Sequence, residues 1–119
     1  MSNGGPSLTN QDMTKLHGIL IDFNKKLNKR LDKTTNIDDA RRIVTEMREV
    51  VHRIDLVQSL LFTKAAKRVT AAVEQVNKAN AKAVQSIATI KKIIDVVRTV
   101  TSFLTLVDDA IDLAKTLGV

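Results

Sequence analysis

An all-α fold, an elongated antiparallel bundle of three long helices, is what three features of this sequence predict. From residue 37 to residue 117 the chain contains no Gly and no Pro, the residues that most often end a helix or turn a chain. Apolar side chains recur through that stretch at steps of three and four, beginning Ile37, Ala40, Val44, Met47, Val51, Ile54, Val57 and Leu61. That is the period of an amphipathic helix and not of a strand. Aromatic residues make up only 3% of the chain, at Phe23, Phe62 and Phe103, so Leu, Ile, Val, Ala and Met must fill the interior, as they can in a helical bundle.

Residues 1–8, with Gly4, Gly5 and Pro6, read as a flexible lead-in, and residues 9–119 as a single helical-bundle domain. Thr9 is the expected N-cap of the first helix, with Ser7 a second candidate, and Asp12 falls where a carboxylate meets the positive end of the helix dipole. That helix runs from about Asn10 to Lys33, with Met13, Leu16, Leu20, Phe23, Leu27 and Leu31 forming a seam close to a heptad. Gly18 lies off the seam and reads as a neutral surface site. Residues 33–36 form the first loop, and Thr35 or Asn36 caps the next helix, with Asp38 and Asp39 in its first turn. So short a connection makes the first two helices antiparallel neighbours.

Beyond Ile37 the apolar stripe keeps its phase to about Val97. One helix of that length would reach about 90 Å, which implies at least one hidden fold-back. The best polar interruption is the Asn-Lys-Ala-Asn of residues 77–80, because Asn competes with helix and tolerates turn geometry. A break there gives three long helices. The alternative, a compact four-helix bundle, breaks near residues 62–64 and at Ala88 and Thr89.

The chain has no cysteine, which removes disulfides, thiolate nucleophiles and Cys-ligated metal sites from its chemistry. The net charge is +6 and unevenly spread: residues 56–107 hold eight basic side chains against Glu74 and Asp95. Lys64, Lys67, Arg68, Lys78 and Lys82 fall on one face if that stretch is a continuous helix, and form a candidate contact for an anionic surface. Nucleic acid is disfavoured as the partner, since no aromatic stacking residues interleave and no Arg-rich recognition helix is present. The residues before Thr9 show no basic n-region or apolar h-region, so no signal peptide is expected. Beyond Asp12 the longest uncharged stretch, Thr99 to Val107, falls far short of the ~20 residues of a membrane span. The compartment stays open, with the cytoplasm slightly favoured.

Candidate chemistry is sparse. His17 and His52 both flank an apolar stripe, with no paired-His or Glu-x-x-His spacing, and read as boundary residues. Asp108, Asp109 and Asp112 form the only acidic cluster, best explained as a solvated face paired with Lys115 or a basic neighbouring helix. No Gly-rich phosphate loop or nucleophile elbow can be built from Gly4, Gly5, Gly18 and Gly118. No catalytic residue, metal or cofactor is expected.

Two segments, 56–62 and 93–107, are apolar around much of the helical circumference. A helix of that kind is buried centrally, pairs with another chain or meets a membrane. Leu56, Leu60, Phe62, Ile93, Val96, Val100, Phe103 and Leu106 are therefore the candidate apolar interface. The function expected is a non-enzymatic helical assembly or protein-interaction module, a homo-oligomer or a binder of partner helices. The alternative is a membrane-active protein, pore-forming or membrane-targeting, that uses 93–107 and the basic 64–82 face on anionic lipid.

Overall fold

The computed structural model describes residues 9–117, and four α-helices account for most of them: α1 (Gln11–Asp32), α2 (Ile37–Gln58), α3 (Lys67–Thr89) and α4 (Ile93–Leu117). No strand occurs among the described residues. The lead-in expected over residues 1–8, with the Ser7 cap, and Gly118 lie outside them. The chain is an all-α bundle with the four-helix count, each helix about 35 Å long.

Direction follows from contacts between the helices. Asp12 meets Thr70, Lys15 meets Glu74, Asp22 meets Asn80 and Arg30 meets the end of α3, so α1 and α3 run parallel in steady register. α2 and α4 return beside them, forming two antiparallel hairpins laid side by side. α1 packs on α2 and α3, and α4 packs on α3 and α2. Residues 59–66 must therefore cross the end of the bundle between the diagonal helices α2 and α3.

The caps explain the boundaries. Asn10, not Thr9, caps α1: its Oδ1 accepts from the backbone N–H of Asp12 and Met13 at 3.0 and 3.3 Å. Asn36 caps α2 through the N–H of Asp39 at 3.0 Å. The fold-back expected at residues 77–80 does not occur, because that run lies inside α3. Asn77 and Lys78 point to solvent, and the Asn80 amide donates to Asp22 Oδ2 at 3.3 Å, so polar side chains are accommodated without a break. The actual interruptions are residues 59–66 and 90–92, close to the four-helix alternative.

The first interruption is pinned from a distance. The Asn10 backbone N–H donates to Leu61 O at 2.6 Å, and its buried side-chain amide donates to Thr63 Oγ1 and Lys64 O at 3.3 and 3.2 Å. One residue thus caps α1 and fixes the crossing linker. The second interruption is held by the Arg30 guanidinium, which donates to the carbonyls of Ile87 (2.8 Å), Ile90 and Lys91 (3.4 Å).

Core residues come from all four helices, with α4 contributing Val96, Val100, Phe103, Leu104, Val107, Ala110, Ile111 and Ala114. Phe23 and Phe103 stack across the diagonal between α1 and α4, ring centroids 4.0 Å apart and planes 11° apart. Gly18 is exposed, and a Cβ there meets nothing within 4 Å. Gly18→Ala is expected to raise stability by about 1 kcal/mol through reduced unfolded-state freedom and better helix propensity. Urea denaturation checks this; an unchanged or lower midpoint contradicts it.

Candidate interaction surfaces

The five basic candidates are all exposed, but the fold divides them. Lys64 lies in the linker before α3, Lys67 and Arg68 in the first turn of α3, and Lys78 and Lys82 about 15 Å or more further along it. No acid offsets Lys67 and Arg68 in that turn. Lys82 and Arg98 flank a groove of about 350 Å³ between α3 and α4, lined also by Ala79, Ala83, Phe103 and Leu106. The fold also gathers charge that is dispersed along the chain: Lys33 and Lys91 line one cleft where the two hairpin turns meet, with Lys26 and Lys29 beside it.

Most of the apolar candidates are inside. Leu60, Val96, Val100 and Phe103 are buried, and Leu56 and Ile93 are half-buried against the core. α4 touches two neighbours, so a wide arc of its surface must be apolar, and the surplus in 93–107 is used within the bundle. Only Phe62, at 76% exposure, and Leu106, at 37%, stand out. No helix among the described residues is long and apolar enough to cross a membrane.

The polar candidates stay dispersed. His52 is exposed and His17 half-buried, its Nε2 enclosed without a protein partner. Asp108 is gripped at both oxygens by Arg53 of α2, at 2.9 Å from Nε and 3.0 Å from Nη2, while Asp109 and Asp112 face solvent. Hydrogen bonding to Asp108, opposed by burial, holds the Arg53 guanidinium above its ordinary range. In the same α2–α4 groove, of about 410 Å³, burial and then the neighbouring Glu49 push the Glu46 carboxyl up, against the pull of Arg53. On the other side of the bundle, the hydrogen bond from Lys15 holds the Glu74 carboxyl below its usual range. No three His, Cys, Asp or Glu among the described residues converge as a metal site.

α2 carries a surface that the sequence reading merged with the core. The residues it buries are Ile43, Val50, Ile54 and Val57. Ile37, Ala40, Val44 and Val51 belong to a second stripe on the adjoining face, with Ile37 68% and Val51 44% exposed. Ile37, Ala40 and Val44 line a shallow groove of about 430 Å³ with Arg41, Thr45 and Arg48. The signal for two faces was in the doublets Ile43-Val44 and Val50-Val51, in which the first member is buried and the second lies on the adjoining face, Val44 half-buried and Val51 exposed. Comparison of the chain with family models, with curated proteins and with solved structures finds no match.

Proposed function

We propose that the chain is a non-enzymatic helical module that self-associates through the outer stripe of α2. The observation that supports this reading is the second apolar face itself: Ile37, Val44 and Val51 recur at heptad spacing over four turns, outside the core. Heptad-spaced aliphatic residues are what one helix presents to another. A two-fold pair lays the same patch against itself, Ile37 of one copy meeting Val51 of the other and Val44 meeting Val44.

A single helix face buries less than the ~800 Å² per partner of a standard interface, so the dimer is weak, with a dissociation constant on the order of micromolar or above. Sedimentation equilibrium over a range of concentrations tests it. The chain dimerises as concentration rises, and the Ile37→Glu/Val51→Glu variant stays monomeric with an unchanged helical spectrum. A wild-type monomer at millimolar concentration, or an oligomer indifferent to those substitutions, overturns the reading.

A further inference from the structure

We propose that the α2–α3 linker is a contact point for anionic lipid bilayers, inserting the Phe62 ring between headgroups while Lys64, Lys67 and Arg68 meet the lipid phosphates and carboxylates. Phe62 is the aromatic residue left outside the core, with 76% of its surface exposed. Its setting is rigid: Asn10 holds the carbonyls of Leu61 and Lys64 and the hydroxyl of Thr63, on both sides of Phe62. The ring is therefore presented by a fixed turn.

The surrounding charge selects the partner. No acidic residue occurs from Leu56 to Val73; Glu74 beyond it is engaged by Lys15 and Asp12 of α1 by the Thr70 hydroxyl, while Asp55 before it lies one turn past Val51 on the outer stripe of α2. Asp109 and Asp112 share this end but sit on α4, so the linker edge, and not the α4 edge, faces the lipid. At the opposite end the exposed Ile37 and Ile94 are followed directly by Asp38 and Asp95, which oppose approach to an anionic surface. A protein partner fits the tip poorly. One aromatic ring offers about 200 Å², well short of a specific interface, whereas a bilayer accepts an isolated apolar side chain without a shaped pocket.

Co-sedimentation of the full chain with phosphatidylcholine vesicles, with and without a third phosphatidylserine, tests the proposal. Binding requires phosphatidylserine and falls with salt. Phe62→Ser weakens it about tenfold, and Lys64→Ser/Lys67→Ser/Arg68→Ser on the order of a hundredfold, from about 1 kcal/mol per cation near an anionic surface. Lys26→Ser/Lys29→Ser/Lys33→Ser, at the other end, changes it by no more than about twofold if those side chains stay beyond a Debye length of the surface. The chain has no Trp, so Phe62→Trp supplies a single reporter whose emission shifts to the blue on acidic vesicles. Absence of vesicle binding, an unshifted reporter, or greater sensitivity to the Lys26/Lys29/Lys33 variant overturns the proposal. So does equally tight binding of single-stranded RNA that Phe62→Ser leaves unchanged, or an effect of Phe62→Ser on oligomeric state alone.

Discussion

Phe23→Ala is expected to destabilise the bundle by about 3–5 kcal/mol, a large fraction of the 5–15 kcal/mol that holds a typical domain folded. Phe23 is fully buried and stacks on Phe103, so the substitution removes a ring and also the partner of a second ring. The pair bridges α1 and α4, which lie on the diagonal of the bundle, and the gap falls at the centre. The surrounding side chains are poor at closing it. The core is rich in β-branched Val and Ile, which are stiff at χ1 and adapt little to a ring-sized space. Phe23→Leu, which restores most of the volume, costs about 1.5 kcal/mol or less. Phe62→Ala, on the exposed linker, stays within about 0.5 kcal/mol. Urea denaturation of the three variants checks the order. A loss below about 1 kcal/mol for Phe23→Ala, or a comparable loss for Phe62→Ala, shows that the ring pair does not anchor the core.

The difference between those two phenylalanines marks where the sequence stops being legible. Periodicity is a local property, and it identified the helical class, the first hairpin and the seam of α1 through Met13, Leu16, Leu20, Phe23 and Leu27. It could not say which of two adjoining stripes on α2 is buried, because Ile43 and Val44 are equally apolar and only the position of α1 and α4 separates them. For the same reason it placed Phe103 beside Phe62 in one candidate surface, although one lies in the core and the other in solvent. The breaks after α2 and α3 were hidden for a different reason. Local stop signals are Gly, Pro and Asn, and the asparagines at 77 and 80 misled, since Asn80 finds its partner in Asp22 of the parallel helix. The residues that hold the real breaks, Asn10 and Arg30, sit more than fifty positions earlier in the chain. A stop supplied across the bundle leaves no trace in the segment that stops.

Arg30→Met is the sharpest test of that last point, and it is expected to cost about 2 kcal/mol. α3 ends at Thr89 with an extended Ile90, without a C-terminal Gly and without a basic residue in its own last turn. Ile90 N–H returns to Ser86 O, but the carbonyls of Ile87, Ile90 and Lys91 receive their donors from Arg30. Removing the guanidinium leaves the partly buried carbonyls of Ile87 and Ile90, and the exposed one of Lys91, without these donors and takes a positive charge from the negative ends of two parallel helices. Met keeps the length and apolar stem of the side chain, so the loss reports the hydrogen bonds and charge more than the packing. Arg30→Lys recovers only part of it, because one ammonium cannot span three carbonyls as a planar fork does. The effect is also local: amide exchange quickens around residues 87–91 before it quickens in α2, since opening begins where the cap is lost. Thermal melts and hydrogen exchange of the two variants decide it. If Arg30→Met melts with the wild type, or if protection is lost evenly over all four helices, the end of α3 is set by something other than the arginine of its neighbour.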